Sequence, residues 1–390
     1  MKLKSLLISS LMLLSAGTAW ADVEINATNF PDENFRNYLL SQEYGSDGVL
    51  TAEEISEVTN IYVPYLGIKS LQGIDFFTSL GFLYCQGNQL TSFDLPKCAS
   101  FVNLNCSGNK LTSLDLSNNT NLCSLICSSN QLTSLDVSVC PGLSVLECAS
   151  NKIKSLDVSH NVELQTFSCE KNQLTSLDLS NNSKLQRLQC FSNQLTSLDV
   201  SGKKSLNNLQ CGKNQLTTLD VSGCTALNSL SCNDNQLTKL DVSDNANLSE
   251  LFCENNKLTT LDFSNNPYLY YLECYRNQLK GEGLDALIES LPTQGYTRWN
   301  LLYDLEDTNV ITTTQVAVAT AKGWQPKQYF NGYKWQPYEG VDPATGIAGI
   351  EADTDKNDSE PWYTINGVEL TEKPTAPGIY IHGGKKVVVK

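Results

Sequence analysis

The chain has 390 residues, of which 41% are hydrophobic and 18% are charged, and its formal net charge at pH 7 is −15. This acidic balance argues against nucleic acid or an anionic membrane as a partner, because both repel a negatively charged protein. The only histidines are His160 and His382, and neither belongs to a catalytic triad, a metal motif or a nucleotide-binding fingerprint. We therefore predict that the protein is not an enzyme.

Residues 1–21 have the pattern of a secretory signal peptide. Lys2 and Lys4 precede an apolar stretch at residues 6–14, and Ala-Trp-Ala stands directly before Asp22. We expect the mature protein to begin near Asp22. No later apolar run approaches the roughly 20 residues that a membrane-spanning helix needs, so the sequence predicts an exported chain without a membrane span.

Residues 22–57 are predicted to form a helical N-terminal cap. Residues 32–44 and 52–58 are typical of two short helices around a Gly-Ser-Asp-Gly turn. A cap is needed because the first member of a repeat array otherwise exposes its apolar face.

The turn inside this cap also resembles an EF-hand calcium loop. Glu43, Asp47, Thr51 and Glu54 fall at ligand positions of such a loop, but Gly45 stands where a further ligand is expected. Two interpretations stay open, a calcium site and a plain helix-turn-helix cap. We expect no other cofactor.

The middle of the chain is a repeat of 21 residues. Each repeat carries Leu-x-x-Leu-x-Cys-x-x-Asn-x-Leu-Thr-x-Leu-Asp-Val/Leu-Ser, with an asparagine three positions after every cysteine. One repeat is too short to bury its own apolar face, so stacked repeats must share one core, with parallel strands in register. The cysteines of this column are Cys85, Cys106, Cys127, Cys148, Cys169, Cys190, Cys211, Cys232, Cys253 and Cys274.

Over roughly residues 58–279 this repeat resembles the leucine-rich repeat, with cysteine in the third leucine position, and is most similar to the short 21-residue class of bacterial proteins. The resemblance implies an α/β repeat solenoid, predominantly β. It implies a right-handed superhelix with a parallel strand ladder, a short helical N-terminal cap and a mixed C-terminal cap. It also implies that each asparagine from Asn88 to Asn277 turns inward and bonds the backbone. Leu66 replaces this asparagine in the first repeat, which we expect to be looser.

The cysteine column has several interpretations. Strands about 4.8 Å apart are close enough for disulfides, but parallel side chains in register point the same way. A metal site would be suggested by a C-x-x-C pair, and the sequence contains none. We therefore predict that the cysteines of this column are small buried hydrophobic residues. The pairing of the other four cysteines stays open: Cys98, Cys123, Cys140 and Cys224.

An aspartate also recurs every 21 residues. We expect each carboxylate to accept a backbone N–H at a turn, helped by the serine that follows it. The alternative is calcium bound between repeats. The aspartates are Asp94, Asp115, Asp136, Asp157, Asp178, Asp199, Asp220, Asp241 and Asp262.

Strand positions that flank the buried leucine and cysteine point outward, onto a concave face. In the first repeats these positions carry uncharged polar side chains, as at Asn103, Asn105, Ser107, Ser124 and Ser128. Toward the C-terminal half they combine aromatic rings with both signs of charge, a composition enriched where proteins bind partners. The predicted binding residues are Arg187, Phe191, Glu250, Phe252, Glu254, Tyr271, Glu273, Tyr275 and Arg276.

The region after the repeats is predicted to have three parts. Residues 280–340 carry two helical patterns, 284–291 and 313–321, among many aromatic residues and are predicted to form the C-terminal cap. Residues 341–360 are acidic and poor in large apolar residues, which predicts a linker.

Residues 361–390 contain short strand patterns separated by glycine turns. This segment resembles the C-terminal sorting segments of Bacteroidota surface proteins, which are linked to type IX secretion. The resemblance implies a secreted protein or one on the outer surface of a Gram-negative bacterium. The alternative is a small β appendage with no sorting role.

Three functions are compatible with these patterns. The first is protein–protein recognition or adhesion by a secreted or surface protein; the others are a carbohydrate-binding module and a structural, calcium-stabilised envelope protein. Charged residues of both signs beside aromatics favour a protein partner. A glycan site should instead present flat, uncharged aromatic residues with amide groups.

Overall fold

The structure is a computed structural model, and it forms two compact units, one ending at Leu143 and one beginning at Ser144. The predicted signal peptide, and residues 343–346 and 349–360 of the predicted linker, lie outside the described residues. Within the described part of the chain, no helix has the length and apolar character of a membrane span. The structure describes residues 22–293, 302–304, 311–330, 334–342, 347–348, 361–364, 368–375, 378–382 and 385–389.

The first unit begins with the expected helical segment. Helix α1 spans Glu33–Ser41 and is capped by Asp32, whose side chain accepts the Phe35 N–H at 3.0 Å. Strands β1, Val23–Glu24, and β2, Val49–Leu50, pair in an antiparallel manner ahead of the shorter helix α2, Ala52–Glu57.

Four parallel strands of three residues follow in the first unit. Their middle residues are fully buried and aligned, whereas their outer residues point away from the core. Three residues alternating out, in and out are all that one short repeat contributes to the sheet. The strands are β3 Asn60–Tyr62, β4 Phe82–Tyr84, β5 Asn103–Asn105 and β6 Ser124–Ile126.

The second unit repeats this arrangement with seven parallel strands in register. The parallel solenoid expected from the repeat is thereby confirmed in each unit. The strands are β7 Val145–Glu147, β8 Thr166–Ser168, β9 Arg187–Gln189, β10 Asn208–Gln210, β11 Ser229–Ser231, β12 Glu250–Phe252 and β13 Tyr271–Glu273.

The cysteine column is part of the core. Each of its members is at most 1% exposed, and all fourteen cysteines of the chain are present as thiols. Burial raises the pKa of eight of these ten thiols, for example to about 12 at Cys211, so those eight remain protonated. The prediction of small buried hydrophobes is confirmed.

The asparagine column bonds the backbone as expected. Asn109 donates from Nδ2 to the Cys106 and Cys85 carbonyls, both at 3.0 Å, and its Oδ1 accepts the Leu90 N–H at 3.0 Å. In the divergent first repeat, Asn88 of the next repeat accepts the Leu66 N–H at 3.1 Å. Asn88 also accepts the Ile68 N–H at 3.0 Å, so it makes one more bond to the preceding coil than Asn109 does.

A second polar column, buried at every position after the half-buried Cys98, escaped the sequence analysis because its residue type varies. Its side chains donate to carbonyls of the preceding coil: Lys203 Nζ to Leu179 at 2.8 Å and Cys224 Sγ to Val200 at 3.0 Å. Three of the four cysteines left open lie here, whereas Cys123 is exposed. The column is Cys98, Asn119, Cys140, Asn161, Asn182, Lys203, Cys224, Asn245 and Asn266.

The aspartate turns form as predicted at eight of the nine positions. At the first of these, Asp115 Oδ1 accepts the Ser117 N–H at 2.9 Å, and this bond lowers the pKa of the carboxyl group. Asp94 departs from the pattern because Pro96 stands where the serine N–H would be.

The second unit ends in mixed structure. Helices α3, Glu282–Ser290, and α4, Thr313–Ala321, match the two predicted helical patterns. Strands β14 Leu302–Asp304, β15 Lys327–Phe330 and β16 Lys334–Pro337 form one sheet. Inside the predicted linker, β17 Val341–Asp342 pairs with β18 Ile347–Ala348. The final segment forms an antiparallel sheet of β19 Trp362–Thr364, β20 Glu369–Leu370, β21 Gly378–His382 and β22 Lys385–Val389.

Candidate functional site

All nine predicted binding residues lie in the second unit, at or directly beside its strands. Six of them occupy β12, β13 and the positions just after them, and we call these six the acidic-aromatic patch. Arg187 and Phe191 belong to the coil of β9. Strand β9 is three strand spacings from β12, which is about 14 Å at about 4.8 Å per spacing. Arg276 follows the patch at a left-handed backbone position with φ of 51°. The acidic-aromatic patch is Glu250, Phe252, Glu254, Tyr271, Glu273 and Tyr275.

Contacts between neighbouring strands hold the patch together. The rings of Phe252 and Tyr271 lie with their centroids 5.0 Å apart at an angle of 38°. The Tyr271 hydroxyl donates to Glu273 Oε1 at 2.5 Å, and the Tyr270 hydroxyl donates to Glu250 Oε1 at 2.6 Å. The phenol groups therefore orient two carboxylates while the rings remain half-exposed.

Glu254 is the most buried member of the patch. Its side chain is 8% exposed, and its Oε2 has no hydrogen-bond partner. The pKa of this carboxyl is raised to about 8, mainly by burial and also by the charges of Glu273 and Asp234, whereas a backbone hydrogen bond and Lys213 act in the opposite direction. Glu254 is therefore mostly protonated at neutral pH. A cation brought to the patch would favour its ionised form.

Asp234 extends the acidic character of the patch and was missed by the sequence analysis. Its Oδ1 accepts from Asn255 Nδ2 and its Oδ2 from Asn233 Nδ2, both at 2.7 Å. It stands two positions after Cys232, in the column that contains Arg276. Comparison of that whole column would have found it.

The predicted calcium ligands are engaged in local bonds. Glu54 Oε2 accepts from the backbone N–H and the hydroxyl of Thr51, both at 2.8 Å, and Asp47 Oδ1 accepts the Val49 N–H at 3.0 Å. Glu43 begins a short 3₁₀ turn. Within the described residues, no three His, Cys, Asp or Glu side chains are grouped so that they could hold a metal ion. The calcium site stays a prediction.

The sequence matches no protein-family model, and comparison with curated proteins finds no match. The structure is similar to the functional domain of InlJ from Listeria monocytogenes, which includes a cysteine ladder. That likeness has a TM-score of 0.55 at 24% identity, over 95% of this chain and 98% of that one.

Two further solved structures share the architecture. A leucine-rich repeat protein of Leptospira interrogans has a TM-score of 0.54 at 23% identity, over 66% of this chain and 74% of that one. The plant peptide hormone receptor RGFR1 in complex with RGF2 has a TM-score of 0.57 at 21% identity, over 72% of this chain and 49% of the receptor. Likenesses at these identities concern the fold alone. The chain has the fold of leucine-rich repeat proteins.

Proposed function

We propose that this chain is a secreted or cell-surface leucine-rich repeat protein that recognises a protein partner through the acidic-aromatic patch. The observation that supports this most is the juxtaposition of three carboxyl groups and three half-exposed rings on two adjacent strands. Large aromatic residues commonly dominate binding at the centres of protein interfaces. The peptide hormone receptor of the same fold was solved in complex with RGF2, which supports recognition as a use of this fold.

The chemistry of the patch favours a partner segment that presents lysine or arginine. Carboxylates form charge-assisted hydrogen bonds with these side chains, and aromatic faces within about 6 Å attract the same cations. Glu254 adds a carboxyl group whose Oε2 has no partner. We propose binding and not catalysis for this surface.

The test uses the mature chain, residues 22–390, as cross-linking bait for surface proteins of bacterial and host cells, with mass spectrometry to identify the captured protein. The Kd of the captured protein should be about tenfold or more higher for the double variant Phe252→Ala/Tyr275→Ala than for the wild type. Buried aromatic residues at the centre of an interface contribute more than about 1 kcal/mol each to binding. Replacing Lys or Arg in the cross-linked partner segment should weaken binding similarly.

The matched control is Ser168→Ala/Glu170→Ala, which truncates the side chains at the same two strand-face columns in the coil of β8, where no binding residue is predicted. This variant should bind the identified partner as the wild type does. Equal affinity of the wild type and the Phe252→Ala/Tyr275→Ala variant would overturn the assignment of the patch.

We also propose that residues 1–21 direct export and that residues 361–390 act as a sorting segment for the outer surface of a Gram-negative cell, by the type IX route. The basic and apolar pattern of the first segment and the short strands of the second support this. Fractionation is the test. A chain lacking residues 361–390 should stay in the periplasm, and its arrival outside the cell would contradict the sorting role.

A further inference from the structure

The first unit carries a second aromatic surface on its strand face, far more exposed than the core. Tyr62 is 61% exposed, Tyr65 is 76% exposed and Phe82 is 37% exposed. Tyr62 and Tyr84 are register partners on β3 and β4, with ring centroids 5.8 Å apart. We call these four residues, Tyr62, Tyr65, Phe82 and Tyr84, the tyrosine platform.

Tyr65 is held in place by its backbone and by a glycine. Its φ of 57° lies in the left-handed region, which is costly for a bulky aromatic residue. Its ring lies over Gly87, where an added Cβ would come within 2.2 Å of Tyr65 Cδ1 and Cε1. The same left-handed conformation recurs two positions after the cysteine in the following repeats, as at Gly87, Gly108 and Ser129, so it belongs to the turn of each coil. What distinguishes Tyr65 is the ring that it carries there, which is 76% exposed.

The surroundings of the platform are polar but uncharged. No strand-face position in residues 60–65, 82–87, 103–108 or 124–129 carries a charged side chain, although the chain has a net charge of −15. Gln86 Oε1 and Asn103 Oδ1 are buried acceptors without a hydrogen-bond partner. The neutral polar side chains beside the rings include Asn60, Gln86, Asn103, Asn105, Ser107 and Ser124.

We propose that the tyrosine platform binds a neutral carbohydrate. A pyranose ring has a flat face of C–H groups, which stacks on exposed aromatic rings, and an edge of hydroxyl groups. Side-chain amides both donate and accept hydrogen bonds and so match that edge. The unpartnered oxygens of Gln86 and Asn103 would gain donors when their amides turn toward a sugar.

The absence of charge at these strand-face positions sets the ligand class. A sulfated or sialylated glycan would find no cation there to pair with its charge, and a basic peptide would find no carboxylate. The acidic-aromatic patch has the opposite character, with Glu250, Glu254 and Glu273 among its rings. The inference is independent of the proposed protein-recognition role, since it rests on different residues in the other unit.

The test is a glycan microarray probed with the mature chain, carrying neutral hexose and N-acetylhexosamine oligosaccharides beside sialylated and sulfated ones. We expect binding to neutral oligosaccharides, and calorimetry with the strongest binder should show its Kd rising about tenfold in Tyr62→Ala/Tyr65→Ala. Tyr65→Phe keeps the ring and should retain most of the affinity. Gly87→Ala displaces the Tyr65 ring and should weaken binding.

The Phe252→Ala/Tyr275→Ala variant is the matched control and should bind the oligosaccharide as the wild type does. Because Tyr62 and Tyr65 are exposed, their replacement should leave the thermal melting curve nearly unchanged, which separates lost binding from misfolding. The inference is overturned by an array without neutral binders, by preference for anionic glycans, or by unchanged affinity in Tyr62→Ala/Tyr65→Ala. Loss of the captured protein partner in that variant would likewise overturn it, by assigning the platform to a protein interface.

Discussion

At the scale of single residues, one asparagine side chain completes the turn of each coil. Asn172 donates from Nδ2 to the Cys148 and Cys169 carbonyls at 3.0 and 3.1 Å, and its Oδ1 accepts the Ile153 N–H at 3.0 Å. Buried backbone groups need partners, and an amide side chain supplies both donor and acceptor. The same side chain therefore recurs after the repeat strands from β4 to β13.

Asn172→Ala should lower the free energy of unfolding by about 3 kcal/mol, because the buried Ile153 N–H loses its partner and the Cys148 and Cys169 carbonyls each lose one of two amide hydrogen bonds. Urea denaturation followed by circular dichroism measures this. The control is Asn181→Ala, which removes an exposed amide bonded to the Ser159 carbonyl and should change the stability by about 0.5 kcal/mol or less. Similar losses in both variants would contradict the role of the buried column.

Glu254 should make stability depend on pH. Burial raises the pKa of its carboxyl from 4.5 to about 8 in the folded chain. Because the pKa is raised in the folded state, the contribution of the Glu254 carboxyl to the free energy of unfolding is fully present below about pH 4.5. That contribution is lost as the pH rises through about 8. Glu254→Gln should therefore be more stable than the wild type at pH 9, by a few kcal/mol at about 1.4 per pKa unit, with little gain at pH 4.

Asp241→Asn provides a control of opposite sign. The Ser243 N–H lowers the pKa of the Asp241 carboxyl, so its contribution is present above the unfolded-state pKa and lost as the pH falls through the folded one. This variant should lose stability at neutral pH and match the wild type in strong acid. Urea midpoints between pH 3 and pH 9 compare the two variants, and parallel profiles would contradict the argument for Glu254.

At the scale of elements, short pieces of structure are closed by side-chain caps. Helix α2 has a capping box in which Thr51 and Glu54 satisfy each other's backbone N–H groups. In the Asp–Ser turns, one carboxylate oxygen similarly accepts a hydrogen bond from a backbone N–H, as Asp178 does from Ser180. Both sets of oxygens were candidates for calcium, and local hydrogen bonds already use part of them.

We expect a chelator to leave the melting temperature of residues 22–390 unchanged to within about 1 °C, since a ligand that binds only the folded state would raise it. Differential scanning fluorimetry with EDTA and with millimolar calcium measures this. If calcium raises the melting temperature, Asp47→Asn and Asp178→Asn distinguish the cap loop from the aspartate turns. Loss of the rise in Asp47→Asn would establish the EF-hand-like site.

At the scale of the whole molecule, the chain carries two strand faces of different chemistry. The first unit exposes uncharged aromatic and amide side chains around Tyr65, and the second exposes carboxyl groups and rings around Phe252. A net charge of −15 favours cationic partners, in agreement with the partner proposed for the second face. The two proposed ligands should therefore respond differently to salt.

Raising sodium chloride from 50 to 500 mM should weaken binding of the protein partner, because screening shortens the reach of the carboxylate charges. Oligosaccharide binding should stay within about twofold over the same range, since the tyrosine platform has no charge to screen. Biolayer interferometry at several salt concentrations measures both. Salt-independent binding of the protein partner would contradict charge recognition by the acidic-aromatic patch.

Much of the fold follows directly from the periodic sequence. A column that recurs every 21 residues takes the same place in every coil, so the buried cysteines, the inward asparagines and the aspartate turns are all predictable. These interactions are local or join neighbouring coils, and repetition makes each one visible many times. The second polar column was missed because cysteine, asparagine and lysine alternate in it, although all three serve as donors.

The contents of the binding surfaces depend instead on contacts that sequence spacing does not encode. Tyr270 lies outside the strand-face columns and still reaches Glu250, and Glu254 is buried although its column faces outward. The position of the Tyr65 ring depends on the absence of a side chain at Gly87. Repetition determines where the backbone goes, whereas rotamers and neighbours across strands determine which side chains meet, because those contacts form only after the coils have stacked.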